Sequence, residues 1–302
     1  MADMVKRNDF LENEVVDLRE EIALVSPTDT PLTTMLMARG QIVKANDITV
    51  TWRERELNNQ RGTLRLEGAE AGEVIKSTRG TLDNVCQIIE KVTAVSGTAE
   101  ALNPKGIGSS FDSEVNDRLI ETKRDLEWYY LNGVKTLESD GTPRQMAGLM
   151  NLVNDANVVQ TKGALKEEHI LDALQKMWDK GAQGEYFAFV NATQKRAINA
   201  IAKAEGNVRW VLDNGSTANK YGIAVSQIVT DFGTVNLVLD RYMDANGILI
   251  VDLDEVEIAE LRATFFEKLP KAGDYHKGHV INESTIKLLN SYAGAKILVT
   301  AE

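Results

Sequence analysis

The sequence has 302 residues, of which 43% are hydrophobic and 26% charged, a composition typical of a folded protein with a large core. Its 45 acidic and 34 basic side chains give a net charge of −11, which disfavours non-specific binding to nucleic acid. The only cysteine, Cys86, excludes an intrachain disulfide. The charged N-terminus and the lack of an apolar run of ~20 residues argue against a signal peptide and a membrane helix, so we expect a soluble protein made in a cytoplasm.

Residues 1–40 have the pattern of an arm. Apolar residues early in this segment recur at helical spacing and predict an amphipathic helix. Thr30 can cap a second, short helix that has Pro31 at its first position and that ends at Gly40. Pro27 and Pro31 stiffen the chain before this helix. We therefore expect the arm to be pinned against another surface.

Residues 41–98 predict a long β-hairpin. Ile48, Val50 and Trp52 alternate with polar residues, and a second strand-like run covers Asn84–Val95 after a polar stretch. At ~3.3 Å per residue, each arm of a hairpin of roughly 50 residues would reach on the order of 60–80 Å. Since a hairpin of that length cannot pack fully against its own core, we expect it to contact a neighbouring subunit.

The longest helical pattern covers residues 111–133, and Asn132-Gly133 provides its stop. At 1.5 Å per residue this helix would be about 30 Å long. Helix and strand patterns then alternate through residues 151–253, and the tail from residue 254 has weaker strand patterns. The chain is therefore predicted to have an α+β fold.

Two of the three histidines, His276 and His279, have Asp274 and Glu283 close by in the sequence. Histidines at this spacing on a helix often bind zinc. Here Gly278 and the β-type sequence after it favour a turn and a strand, in which positions three apart point to opposite faces. We expect no metal site, although a metal-dependent enzyme using His276 and His279 is an open alternative.

The other candidate motifs carry little chemistry. Asp252–Glu257 begins like a calcium loop but lacks its glycine and final glutamate, so it predicts a capped turn. The stretch Lys105–Ser110 lacks the GK[ST] signature of a phosphate loop. Trp128–Tyr130 are expected in a core or interface, Cys86 as a buried apolar side chain, and Ser96–Thr98 lacks the hydrolase elbow. We therefore predict no enzymatic activity and no cofactor.

Seven stretches, in this order along the chain, carry a resemblance to a known family. They are TDTPLTTML (Thr28–Leu36), EGAEA (Glu67–Ala71), NVCQIIEKVTAVSGT (Asn84–Thr98), KRDLEWYYLNG (Lys123–Gly133), RQMAGL (Arg144–Leu149), DFG (Asp231–Gly233) and LPKAGDYHKGHVINEST (Leu269–Thr285). Together they resemble the major capsid protein of tailed bacteriophages, whose fold is shared with herpesvirus floor domains and encapsulins.

The resemblance implies an N-terminal arm (1–40), an extended β-hairpin loop (41–98) and a peripheral domain built from 99–150 and 254–302 around a spine helix at 111–133. It implies an axial α/β domain at 151–253. The implied function is that of a major capsid (head) protein, self-assembling into hexamers and pentamers of an icosahedral or elongated shell around double-stranded phage DNA. An encapsulin-like nanocompartment shell is the nearest alternative.

The implied partners are other copies of the chain, with portal, scaffolding and decoration proteins as further candidates. DNA would be packaged without sequence-specific binding, and no membrane is involved. The protein would be part of the virion and would assemble in the host cytoplasm. The residues expected at subunit interfaces are Pro27, Thr30 and Pro31 in the arm, and Trp52, Arg53, Arg55, Arg61, Glu67 and Glu70 in the hairpin.

Overall fold

The computed structural model describes residues 28–58, 61–62, 64–70, 72, 74–102, 109–182, 184–204 and 226–300. The helix expected early in the arm, and Pro27, lie outside these residues. The described helices are α1 (Pro31–Arg39), α2 (Gly97–Ala101), α3 (Ser110–Asn132), α4 (Leu149–Leu152), α5 (Glu167–Asp179) and α6 (Ala192–Ala204). The described strands are β1 (Ile42–Lys44), β2 (Thr49–Glu56), β3 (Thr78–Val85), β4 (Gln87–Ser96), β5 (Val158–Lys162), β6 (Glu185–Val190), β7 (Gln227–Thr230), β8 (Gly233–Leu239), β9 (Gly247–Asp252), β10 (Val256–Leu269), β11 (Tyr275–Leu288) and β12 (Gly294–Thr300).

The chain divides into two compact units. The larger contains residues 29–89, 123–264 and 282–302, and the smaller contains residues 1–28, 90–122 and 265–281, each as far as described. The four-stranded sheet has the order β1-β10-β11-β4, and several of its strands contribute residues to both units.

A six-stranded mixed sheet organises the larger unit, with the strand order β5-β12-β9-β6-β8-β7. Its strand β12 pairs in parallel with β5 and antiparallel with β9. Strand β12 lies in the predicted peripheral segment 254–302, whereas its partners β5 and β9 lie in the predicted axial segment 151–253. The apolar run of β12 fits between β5 and β9 because both of its faces are covered, Ala295 and Ile297 on one side and Leu298 on the other.

Alternation along the central strands supplies two separate cores in the larger unit. Ala188 and Val190 of β6 pack with α5 and α6, whereas Phe189 between them packs with α1 and α3. The same division holds in β9, where Ile248 and Ile250 lie in the core formed with α5 and α6. The period of two in a strand therefore places helices on both faces of the sheet.

The helix α1 begins at Pro31 and ends at Gly40, as the capping residues predict. Gly40 has φ +72, a left-handed conformation that glycine adopts easily. Thr30 occupies the cap position, but its side chain makes no capping hydrogen bond. Instead, the side chain of Glu127 in α3 accepts hydrogen bonds from the N–H groups of Leu32 and Thr33 at the start of α1. This corrects the predicted role of Thr30 as the capping side chain.

The predicted hairpin is shorter than expected. Strands β2 and β3 pair antiparallel from Thr49↔Val85 to Glu56↔Thr78, so each arm has eight paired residues, or about 26 Å. The run Asn84–Val95 is not one strand, because the chain leaves the hairpin at Cys86 and β4 joins the four-stranded sheet. The Asn84 amide fixes this exit by donating to the carbonyls of Ala147 and Ile286.

Two smaller differences concern the α/β segment. The run YGIAVSQIV at 221–229 predicts a strand, which is described only as β7, from Gln227 to Thr230, since residues 221–225 lie outside the described part. The run TQKRAINAIAKA predicts a helix that begins near a threonine cap, but the cap of α6 is the side chain of Asn191, which accepts from the Thr193 N–H at 3.4 Å. Asparagine is as good a cap as threonine, so the sequence did not separate them.

The smaller unit contains the last part of β10, the first half of β11, most of β4, α2 and the first half of α3. Phe111 of α3 packs edge-on against Phe266 of β10, with ring centroids 6.0 Å apart. The Asp274 carbonyl accepts from the Gly97 N–H at 3.1 Å. Within this unit the turn between β10 and β11 is thus tied to the start of α2.

Candidate subunit interface

The base of the β2–β3 hairpin is bound to its own subunit through one face of β2. The Trp52 indole N–H donates to the Leu288 carbonyl at 2.9 Å. Glu54 accepts from the Ser291 hydroxyl at 2.9 Å, and Glu56 pairs with Lys180 at 2.9 Å. Because side chains alternate along a strand, Arg53 and Arg55 lie on the opposite face and are exposed.

An ion network holds the point where the chain leaves the hairpin. The Arg144 guanidinium donates to the Cys86 carbonyl at 2.6 Å and pairs with Glu138 and Glu283. Glu283 is 6% exposed and also pairs with Arg262 at 2.6 Å. Burial raises the pKa of the Cys86 thiol to about 11, with Glu283 adding to the rise, so this thiol is unreactive at neutral pH.

A polar groove of about 490 Å³ lies beside the hairpin base. Lys180 and Tyr292 line it, with the Lys180 ammonium 4.6 Å from the centre of the tyrosine ring. The Glu56 carboxylate raises the pKa of Lys180 by hydrogen bonding to it. The groove therefore presents a charged and aromatic wall that can receive a polar segment.

The tip between the two strands is exposed throughout its described residues. A turn at Gly68, with φ +79, is closed by the Ala69 N–H donating to Leu66 at 3.2 Å, and Arg65 donates to the Glu70 carbonyl at 2.6 Å. Five apolar side chains of the tip are exposed: Leu57, Leu64, Leu66, Val74 and Ile75. Contiguous exposed apolar patches are typical of surfaces that bind a partner, so the tip is a candidate for such a surface.

The arm helix α1 is part of the subunit core. Leu32 and Leu36 are fully buried, and Thr30 is 3% exposed with its hydroxyl lacking a hydrogen-bond partner in the described structure. Pro31 holds the first helical position. Thr30 thus contributes to the fold of its own chain.

The structure therefore separates the predicted interface residues into two sets. Trp52 and Thr30 contact their own subunit, whereas the exposed residues are Arg53 and Arg55 on the free face of β2 and Arg61, Glu67 and Glu70 at the tip. Sequence reasoning missed the apolar tip residues, although leucines inside a polar, glycine-bearing run were a usable signal. It also missed Arg144 and Glu127, whose partners are distant in sequence.

The histidines that suggested a metal site both lie in β11, in the smaller unit. His279 bonds to Glu90 at 2.7 Å and lies 3.5 Å from Glu267, while the His276 ring packs against Phe111. Across the ranges that the structure describes, no group of three or more histidine, cysteine or acidic side chains is arranged to hold a metal ion.

The capped turn predicted near Asp252 is confirmed, because that side chain accepts from the Asp254 N–H.

No described helix combines the length and the apolar composition needed to cross a bilayer.

Comparison with known proteins identifies the family. Residues 5–301 match the family described as SU10 major capsid protein. The major capsid protein of Escherichia phage Phieco32 is 22% identical over 338 residues, covering 93% of this chain and 92% of that protein. The family match spans nearly the whole sequence, including both described units.

Solved structures share the fold. The capsid of cyanophage A-1(L) superposes with a TM-score of 0.70 at 11% identity, covering 97% of this chain and 98% of that chain. The SrpI encapsulin of Synechococcus elongatus PCC 7942 superposes with a TM-score of 0.56 at 11% identity, covering 92% and 91%. The predicted α+β capsid fold is therefore confirmed. The chain belongs to the SU10 major capsid protein family and is a phage major capsid protein, a component of the virion.

Proposed function

We propose that the chain assembles into hexamers and pentamers of an icosahedral or elongated shell that encloses double-stranded DNA, and that the hairpin tip supplies a principal contact with the neighbouring copy. The observation that carries the contact is the exposure of Leu64 and Leu66, at 97% and 87%, the highest among the large hydrophobic side chains that the structure describes. Burying a leucine contributes about 1.5–3 kcal/mol, which only a partner can supply here.

Charged groups would set the register of this contact. Arg53 and Arg55 on the free face of β2, with Arg61, Glu67 and Glu70 at the tip, present both signs of charge on an exposed surface. Charges at the rim of an interface contribute more to specificity than to affinity. We therefore assign these five residues to the contact between subunits.

The proposed division into domains rests on the family resemblance and on the strand pairing. We propose an arm at 1–40, an extended loop at 41–98, a peripheral domain from 99–150 with 254–293 around α3, and an axial domain at 151–253 to which β12 is added. The pairing of β12 with β5 and β9 supports that addition. Pro27 stays an interface prediction, while Thr30, Pro31 and Trp52 are assigned to seating the arm and hairpin on their own subunit.

Assembly would take place in the host cytoplasm, with portal, scaffolding and decoration proteins as partners. The DNA would be held without sequence-specific binding, since the net charge of −11 opposes tight contact with phosphates. The chain would act as a structural protein with no catalytic role.

An encapsulin-like compartment is the second candidate, because the SrpI encapsulin shares the fold. The family match favours the phage shell. The two functions differ in contents, as a phage shell protects DNA and an encapsulin encloses a protein cargo.

The test is electron microscopy of the chain after purification and concentration, beside a variant in which residues 58–76 are replaced by a short glycine-serine linker. The full chain is expected to form shells, tubes or capsomers. The variant keeps every β2–β3 pair and is expected to remain an unassembled subunit with an unchanged melting temperature. Normal shells from the variant would rule out the tip contact, and a full chain that stays monomeric at every concentration would contradict the shell.

Particles recovered from infected cells show what the shell encloses. Nuclease-resistant DNA of uniform length inside the particles supports the phage shell. Particles that hold one abundant protein and no DNA would support the encapsulin-like alternative.

A further inference from the structure

A buried pair of carboxyl groups, Glu127 and Asp240, lies where the arm helix meets the rest of the larger unit. Both residues are 0% exposed. Glu127 belongs to α3, and Asp240 directly follows β8. The Asp240 side chain faces Glu127 at hydrogen-bonding range. Two acids buried together need a proton or a cation to stay there.

Glu127 is the anchor of α1. Its Oε1 accepts from the Leu32 N–H at 2.6 Å, its Oε2 accepts from the Thr33 N–H at 2.9 Å, and the Thr33 hydroxyl also donates to Oε2. These donors are the first free N–H groups of the helix, and the helix dipole adds to their attraction for an anion. The glutamate therefore fixes α1 against α3.

Asp240 is only half satisfied. Its Oδ1 accepts from the Tyr242 N–H at 2.8 Å, but no described group donates to its fully buried Oδ2. The Asp240 side chain interacts with that of Glu127, whose oxygens are acceptors as well. A proton between the two carboxyls would supply the missing donor and remove the repulsion between two charges.

The surroundings of the pair are defined by the elements that pack on it. Thr33 approaches Glu127 from α1 and Tyr130 from the next turn of α3, and the Tyr130 hydroxyl bonds to Ser284 at 2.8 Å. The charge of Glu260 in β10 acts on Tyr130 and disfavours its ionisation. The nearest charged pair in sequence, Asp29 with Arg241 at 3.7 Å, is exposed to solvent.

We infer that Glu127 and Asp240 share one proton in the folded subunit, and that this proton controls how firmly the arm helix α1 is docked. With the proton present, one carboxyl group donates to the other, and Glu127 keeps its three donors. Once the proton is lost, two adjacent buried charges repel and α1 is loosened. This inference does not depend on shell assembly, since every group in it belongs to one subunit.

The titration agrees with this geometry. Burial is the largest cause that raises the pKa of Glu127, from 4.5 to about 7, and the charge of Asp240 adds to the rise. Burial also raises the pKa of Asp240. An acid whose pKa is raised by folding binds more protons in the folded state, so its contribution to stability falls as the pH rises. Docking of α1 should weaken between pH 4.5 and about 7.

Hydrogen–deuterium exchange on the dilute full chain tests the inference. The protection factors of the α1 amides, corrected for intrinsic exchange, are compared at about pH 5 and about pH 8 with those of the buried strand β9. We expect α1 protection to fall by roughly tenfold or more at the higher pH, as the loss of a proton held by a shifted acid requires. Protection of β9 should change much less.

Three variants test whether the shared proton, and not packing alone, holds α1 in place. Asp240→Asn places an amide donor opposite Glu127, so α1 should stay protected at about pH 8 and lose its pH dependence. Glu127→Gln should weaken α1 at both pH values, without the pH step. Asp244→Asn, an exposed acid in the same loop, should behave like the parent chain.

A pH step in Asp240→Asn equal to that of the parent would overturn the inference, as would pH-independent protection in the parent. If Asp240→Asn does not fold, the pH dependence of α1 protection in Glu127→Gln decides the matter alone. A pH step retained in that variant would overturn the inference, because the titrating group would then be a different residue.

Discussion

The base and the tip of the hairpin are parts of one continuous segment, yet they are built for different partners. At the base, Trp52, Glu54 and Glu56 each have a bonding partner in their own subunit. At the tip, Leu64 and Leu66 are exposed and the hydrogen bonds are local, such as that of Arg65 to Glu70. The two faces of β2 differ in the same way: one face bonds to its own subunit, and the opposite face carries the exposed Arg53 and Arg55. Stability of the subunit and assembly of the shell should therefore respond to different substitutions along the same hairpin.

The largest effect on subunit stability is expected at the hairpin exit, from Arg144→Ala. This change removes the donor to the Cys86 carbonyl and leaves Glu283, which is 6% exposed, with Arg262 as its remaining cation. Removing one partner of a buried ion pair typically costs about 3–5 kcal/mol. We expect the free energy of unfolding in urea to fall by about 3 kcal/mol.

The matched variant is Arg144→Ala with Glu283→Gln, which also removes the uncompensated charge. It should recover a substantial part of the loss. If Arg144→Ala alone unfolds like the parent chain, the network does not anchor the hairpin, and the distinction between base and tip loses its strongest support.

The sequence predicted the local features of this region well and the distant contacts poorly. Pro31 and Gly40 bounded α1 correctly, because helix capping depends on adjacent residues. The acceptor for its N–H groups, Glu127, lies 95 residues from Leu32, and Glu283 lies 139 residues from Arg144. No local pattern marks such pairs, since a charged residue on a helix or strand face usually points to solvent.

The hairpin length shows the same limit. The run from Asn84 to Val95 contains no glycine or proline, so the sequence predicted one long strand. What divides them is the change of partner at Cys86, whose N–H bonds to Ile48, and the anchoring of Asn84. Pairing partners are a property of the tertiary fold, and period-two patterns do not encode them. The family resemblance, by contrast, fixed the fold class because it used many short motifs in order.

A smaller effect is expected at Trp52, on the anchored face of β2. Trp52→Phe keeps the aromatic ring but removes the donor to the Leu288 carbonyl. A lost hydrogen bond of this kind costs about 1 kcal/mol of the free energy of unfolding. Arg53→Ala, one residue along on the exposed face, is the control and should change stability by less than about 0.5 kcal/mol. Equal losses in the two variants would mean that the two faces of β2 are not distinct.

The smallest effect on stability, and the clearest on assembly, is expected from Leu64→Ser with Leu66→Ser. Both side chains are almost fully exposed, so the free energy of unfolding should change by less than about 0.5 kcal/mol. In a shell the same side chains would be buried on a neighbour, and every copy would lose that contribution. The protein concentration at which light scattering first detects assembly should therefore rise by roughly tenfold or more. Methionine at both positions keeps the apolar contact and should assemble normally, so a normal threshold in the serine variant would move the interface away from the tip.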